Sequence, residues 1–384
     1  MKITLSLMLL VTVTMLHAQN KLRIVKATST SVDIKDDNYP VRKNGWTVVP
    51  KEKLDVYNTS ARKVTFYTDQ ESISFKVDPK VGTYDFIILV NGKDTARTQI
   101  RYDKNAPDRR PVVYIDTLKK AGKYNYADQR EIPSFTYQPM DNPNLVRIRK
   151  ELKLDSIAGK GDELAKIFNL LHWVHALIRH DGSSNNPTLK NAIDLIRVCR
   201  EENRGVNCRM LATVLNECYL SMGITSRYIT CMPKETNFND CHVINMVYSK
   251  DLKKWIWIDP TFDSYVMDEK GNLLGIQEVR ERLVKGLPLV LNADANWNRS
   301  TPQTKEGYLQ NYMAKNLYRL ETPVVSQYDS ETWKSGKVAA YVELLPLDGL
   351  VQTPQKDEST NQKTGVKFIN YKTNNPDLFW AVPH

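Results

Sequence analysis

Five cysteines, Cys199, Cys208, Cys218, Cys231 and Cys241, fall within one short stretch of a 384-residue chain. Two of them share the segment "RGVNCRMLATVLNECYLSMG", residues 204–223. Cys208 stands where an apolar periodic run begins, after Gly205, Val206 and Asn207, and Cys218 lies further along the same run. A thiol at a helix start feels the partial positive charge of that terminus, which lowers its pKa. Unpaired amides of the first turn can also donate to an oxyanion. A nucleophile needs a base within reach, and the base needs a group that orients it. His242 opens the segment "HVINMVYS", and Asp259 closes "WIWID", where Pro260 breaks the strand. Strand ends and helix starts meet at one rim of an α+β layer. Cys208, His242 and Asp259 can therefore converge as nucleophile, proton carrier and orienting carboxylate.

Each residue also has a plainer reading. A cysteine is commonly an inert buried thiol or a disulfide partner, a lone histidine is an ordinary strand-end residue, and Asp before Pro is a common turn pair. Their weight is joint, in type and order. In "HWVHALIRH", His172 and His175 sit three apart on one helix and His180 follows beside Asp181, so a metal site can be drawn there. Neither an HExxH motif nor a C-x-x-C pair accompanies them, and neither a metal nor a cofactor is expected. Trp173, Trp255 and Trp257 read as packing residues, some of which could wall a cleft.

The elements that must hold these groups follow from periodicity. Residues 63–68, 72–77 and 83–90 alternate apolar and polar side chains, and Asn91-Gly92 is a hairpin signal. Residues 20–105 thus read as a small β-sandwich, followed by a polar, proline-punctuated linker over 106–125. The period then becomes helical. Leu164, Ile167, Phe168, Leu171, Val174 and Ile178 line one helix that Asp181-Gly182 should stop, and "TLKNAIDLIRVCRE" is a second. The third begins at Cys208, presents Leu211, Val214, Leu215, Cys218 and Met222 on one face, and ends at Gly223. "ITSRYITCM", "CHVINMVYS" and "KKWIWIDPTF" then read as consecutive antiparallel strands, which makes an α+β domain over 126–330. "GIQEVRERLVKG" and "KEGYLQNYMAKNLYRLE" read as helical, and 331–384 as a C-terminal β-rich segment.

The first residues, "MKITLSLMLLVTVTMLHAQN", have the charged start, apolar stretch and small residue (Ala18) of a cleavable signal peptide over 1–18. No cysteine follows the apolar stretch to take a lipid, and no later segment is apolar enough to span a bilayer, so a secreted or periplasmic protein without a transmembrane anchor is expected. The net charge of +10 is spread along the chain, which reads as a solvated basic surface and not as a nucleic-acid site. An odd number of cysteines in an oxidising compartment leaves at least one free thiol. Pairing Cys231 with Cys241 and Cys199 with Cys218 would leave Cys208.

The three segments "GVNCRMLATVLNECYLSMGITSRYI", "CHVINMVYS" and "WIWIDPTF" together resemble the core of the transglutaminase-like superfamily. Cys208, Gly223, Ile224, Arg227, His242, Asp259, Pro260 and Thr261 follow that family's order of motifs over roughly residues 160–265. The family often has an aromatic residue beside the cysteine, where this chain has Asn207 and Arg209. The resemblance implies a papain-like fold and acyl transfer through a Cys–His–Asp triad, with Cys208 as nucleophile, His242 as base and acid, and Asp259 as orienter. The expected activity is cysteine-dependent amide hydrolysis, as a peptidase or amidase, on a peptide, protein or glycopeptide. Acyl transfer to an amine and a non-catalytic binding module remain alternatives.

Overall fold

Strict alternation builds the N-terminal part of the chain. In strand Thr83–Val90, Tyr84, Phe86, Ile88 and Val90 point one way and are buried. This computed structural model describes residues 23–36, 39–47, 54–106, 114–238, 240–350, 352–353 and 355–383; the expected signal peptide lies outside them. The chain divides into two units, residues 1–112 and 113–384. In the first, strands Arg23–Ala27, Thr83–Val90, Asp94–Tyr102 and Asp55–Thr59 form one sheet; Tyr39–Thr47, Ser31–Asp36, Lys63–Tyr67 and Ser72–Lys76 form a second. Val25, Phe86, Ile88 and Ile100 from one sheet and Val32, Ile34, Val64 and Phe66 from the other share a single apolar core. That is sandwich packing. Asn91 and Gly92 take the positive φ angles, 52° and 69°, that their hairpin requires.

The second unit is built on one sheet. Among its helices are α1 (Pro143–Glu151), α2 (Leu154–Ala158), α3 (Glu163–Leu177), α4 (Ala192–Glu201), α5 (Cys208–Ser221) and α6 (Ile276–Lys285). Its sheet strands are β1 (Ser226–Met232), β2 (His242–Ser249), β3 (Lys254–Ile258), β4 (Arg319–Pro323), β5 (Val338–Leu344), β6 (Lys356–Thr360) and β7 (Lys367–Thr373), in the order β3-β2-β1-β4-β5-β7-β6. Successive side chains of β1 to β3 serve two different cores. Val247, Ile256 and Ile258 pack with α1 to α5. Ile229, Ile244, Met246 and Trp257 pack with Leu118, Leu283, Leu309 and Leu317 on the opposite face. Covered on both faces, β1 is buried along its whole length. The α+β class, with helices on an antiparallel sheet after a β-rich N-terminal region, is as expected.

Four details differ from the sequence reading. Helix α3 stops at Leu177, before Asp181-Gly182, because Ile178 turns extended and residues 179–181 instead hydrogen-bond Val206. The segment "YRLE", expected as helix, lies mostly in β4: its register puts Leu320 opposite both Cys231 and Leu344, and pairing on two sides overrides helical periodicity. The strands of the C-terminal segment extend this same sheet, and β5 and β7 pair in parallel, so the sheet is antiparallel only in part. Residues 106–125, expected as linker, include helix Tyr114–Lys119, whose Leu118 is buried in the second unit's core.

Candidate active site

Helix α5 starts at Cys208 because Asn207 caps it. The Asn207 Oδ1 accepts from the Met210 amide at 3.1 Å, a bond worth about 1 kcal/mol, and the backbone of Asn207 is extended. Cys208 is therefore the first helical residue. Gly205 is needed for close approach: a Cβ there would lie 2.4 Å from the Arg179 carbonyl oxygen. The gain is a two-bond bridge, Val206 N–H to Arg179 O at 3.1 Å and Asp181 N–H to Val206 O at 2.8 Å. The bridge sets His180 alongside Val206. Cys208 is half-buried and packs against Ala212, Tyr228 and Val243. At the other end Gly223, at φ 73°, ends the helix with its amide on the Leu220 carbonyl.

Sheet register brings His242 to Asp259. Asn245 pairs with Ile258, so Asp259, one residue past β3, falls opposite Ile244 on the face that His242 also occupies. His242 Nε2 and Asp259 Oδ2 are 2.6 Å apart. The same oxygen accepts from the Tyr308 hydroxyl at 2.5 Å, and Oδ1 accepts from the Thr261 amide at 2.8 Å. With Nε2 engaged, Nδ1 is the His242 nitrogen left to face the Cys208 side chain, whose pKa His242 lowers. The rings of Phe262 and Tyr312 flank His242 at 5.5 Å and 5.3 Å. Tyr308 and Tyr312 project from a π-helix, Glu306–Met313. Such wide turns recur at functional sites.

The electrostatics separate Cys208 from the other thiols. Burial would push its pKa up, but hydrogen bonds with the His180 and His242 side chains, the His242 charge and the Val243 amide bring it down to about 6. Burial would push His242 down, but the charge and hydrogen bond of Asp259, with Cys208 beside it, raise it to about 10. The favoured state is a thiolate beside an imidazolium. Burial pushes Cys199, Cys218, Cys231 and Cys241 up.

All five cysteines are free, and the disulfides expected at Cys231–Cys241 and Cys199–Cys218 are not formed. Cys231 pairs with His242 across the sheet, so Cys241, one residue earlier, sits on the alternate side. Cys199 and Cys218 are buried as separate thiols in the helical core.

The three histidines of "HWVHALIRH" diverge. His172 Nδ1 is 2.7 Å from Asp263 Oδ1, and these two and the exposed Asp294 bring ligand atoms within 4.8 Å of one another. His175 is hydrogen-bonded at both nitrogens, to Pro260 O and Asn296 Oδ1, each at 3.0 Å. His180 faces Cys208. Sequence reasoning missed Tyr308, Tyr312, Phe262 and His180 as neighbours of the site. The i, i+4 spacing of the two tyrosines marks a shared helical face, but nothing local points it at His242. Beside the helix start lies a cavity of about 330 Å³, walled by Asn207, Arg209, Glu321, Glu331, Trp333 and Phe368 among others.

No curated protein matches the chain. Among solved structures, a candidate cysteine protease from Cytophaga hutchinsonii is 18% identical with a TM-score of 0.24, over 33% of this chain and 46% of that one. The chain thus spans less than half the length of that relative. LapG of Legionella pneumophila (EGTA-treated) is 12% identical with a TM-score of 0.25, over 48% of this chain and 98% of that one. Red sea bream transglutaminase is 11% identical with a TM-score of 0.23, over 63% of this chain and 49% of that one. Residues 150–260, which contain Cys208, His242 and Asp259, match the family model of the transglutaminase-like superfamily. Over those residues the chain carries a transglutaminase-like domain.

Proposed function

We propose that the protein is an exported cysteine-dependent amide hydrolase in which Cys208 is the nucleophile, His242 the general acid and base, and Asp259 the residue that orients His242. The observation that carries this reading is the opposed shift of the pair, Cys208 down and His242 up, with Asp259 on the far nitrogen. The Cys208 sulfur attacks the amide carbonyl carbon, and the C=O π pair moves onto oxygen. The tetrahedral adduct collapses as the C–N bond breaks and His242 gives its proton to the leaving amine. Water, deprotonated by His242, then attacks the thioester, and the C–S bond breaks to free the acid and regenerate the thiolate. The Cys208 amide, at the helix start, faces the developing oxyanion.

The adjoining cavity supports a polypeptide substrate, since it sets carboxylates (Glu321, Glu331), cations (Arg209, Lys190) and aromatic faces (Trp333, Phe368) around one space. Export rests on the signal-peptide pattern of residues 1–18; among the described residues no helix is long and apolar enough to cross a membrane.

The test is incubation with peptide pools in the presence of a primary amine. Hydrolysis gives new carboxyl and amino termini, whereas acyl transfer gives amine incorporation. Cys208→Ala should lower either product by roughly 10⁴-fold or more. Peptide turnover that survives this substitution would overturn the reading.

A further inference from the structure

His180 sits at the reacting sulfur with an unusual degree of constraint. Bonds of 3.1 Å and 2.8 Å between its two chain neighbours and Val206 tie it to the segment that leads into Cys208. Asn298 clamps its backbone from outside: Oδ1 accepts the His180 amide at 2.7 Å, and Nδ2 donates to the His180 carbonyl at 3.0 Å. Trp297 fixes the ring. Its indole Nε1–H donates to His180 Nδ1 at 3.1 Å, which makes Nδ1 an acceptor and puts the ring proton on Nε2. The Gly205 contact permits this arrangement, because a side chain there would collide with Arg179 and Asp181.

We propose that His180 is a second oxyanion donor, its Nε2–H hydrogen-bonding the substrate carbonyl oxygen as charge builds there, and that Trp297 is the positioning residue that holds the proton on Nε2. The inference rests on the hydrolase reading of Cys208. In the free protein the His180 side chain lies beside the Cys208 sulfur and helps to lower its pKa. When sulfur bonds to the carbonyl carbon, it loses its negative charge and the neighbouring oxygen gains one. The donor then follows the charge from sulfur to oxygen. No proton leaves His180; the electron pair on oxygen re-forms the C=O bond when the amine departs. Together with the Cys208 amide, this supplies a backbone donor and a side-chain donor from two different segments.

Two reagents separate oxyanion stabilisation from thiolate formation in the full-length protein. p-Nitrophenyl acetate acylates Cys208 through a tetrahedral oxyanion, whereas iodoacetamide alkylates it by displacement at carbon, with none. Rates are compared on the high-pH plateau, with Cys208 modification read by peptide mass spectrometry. His180→Ala should slow acylation roughly 10²-fold while changing alkylation by less than about threefold, and His180→Gln, which keeps an N–H donor, should recover part of the loss. Trp297→Phe keeps an aromatic ring but removes the indole N–H from Nδ1, and it should slow acylation by about tenfold with the same split between reagents. Acylation and alkylation falling together would mean that His180 serves only the thiolate, and neither falling would mean that it serves neither; each result overturns the proposal. Should wild-type Cys208 alkylate with an ordinary thiol pKa, unchanged by His242→Ala, the hydrolase reading fails first and this inference falls with it.

Discussion

Each unit of the molecule buries a carboxylate against a tyrosine hydroxyl. In the sandwich, Asp36 accepts from Thr59 Oγ1 at 2.6 Å and from the Tyr57 hydroxyl at 3.2 Å. In the second unit, Asp259 accepts from the Tyr308 hydroxyl at 2.5 Å and the Thr261 amide at 2.8 Å, and it also meets His242 at 2.6 Å. Both carboxylates are buried, and burial of a charge is costly unless it is paired or hydrogen-bonded. At Asp36 two hydroxyls on one oxygen, Oδ2, offset part of that cost, while Oδ1 is buried without a partner among the described residues. At Asp259 an imidazole takes part of the load and becomes a cation, and that cation in turn favours a thiolate at Cys208. What separates the two buried acids is that one partner of Asp259 is an imidazole, whereas those of Asp36 are hydroxyls.

Asp259→Asn should break the contrast most sharply. Loss of the carboxylate charge lowers the His242 pKa and raises that of Cys208, and amide cleavage should fall by up to about 10⁴-fold, measured as turnover of a cleaved peptide. The wild-type pH profile is the next test. Iodoacetamide reactivity of Cys208 should rise through pH about 6, as the thiolate forms, and cleavage should decline above pH about 10, as His242 loses the proton that it donates. In Asp259→Asn the acid limb should move to higher pH. An unmoved limb would show that the Asp259 charge does not reach the thiol.

Tyr308→Phe leaves the charge and removes one hydroxyl, so turnover should drop only about threefold to tenfold. Asp36→Asn should leave Cys208 alkylation and peptide turnover unchanged while lowering stability by about 1–2 kcal/mol, read as a shift of the urea midpoint. A turnover loss in Asp36→Asn comparable to that of Tyr308→Phe would erase the distinction between the two acids.

Much of this arrangement is local enough to be legible in the sequence. The apolar period that opens at Cys208 announces both the start of α5 and its buried face. Pro260 marks where β3 must end, and strand alternation predicts that His242 and Cys241 face opposite ways. The contributions of Tyr308, Tyr312, Phe262 and Trp297 are tertiary. Each side chain reads locally as a packing aromatic, and only the folded sheet shows what it packs against. His180 was visible as a histidine near two others, but its partner is set by the bridge to Val206. The disulfide expectation failed because an odd count of thiols carries no information about distance or about which sheet face a side chain takes. The stretch "YRLE" failed because pairing partners on both sides decide a strand and a local window sees neither.

The π-helix at Glu306–Met313 has a consequence for timing. Synthesis runs from the N-terminus, so Cys208 emerges before His242, before Asp259 that holds His242, and before Tyr308 that holds Asp259. In an unfolded chain a cysteine titrates near pH ~8.5 and is mostly protonated at neutrality. Cys208 therefore stays an ordinary thiol until His180 and His242 fold against it. Folding in that order gives the growing chain an interval in which it holds a thiol of ordinary reactivity.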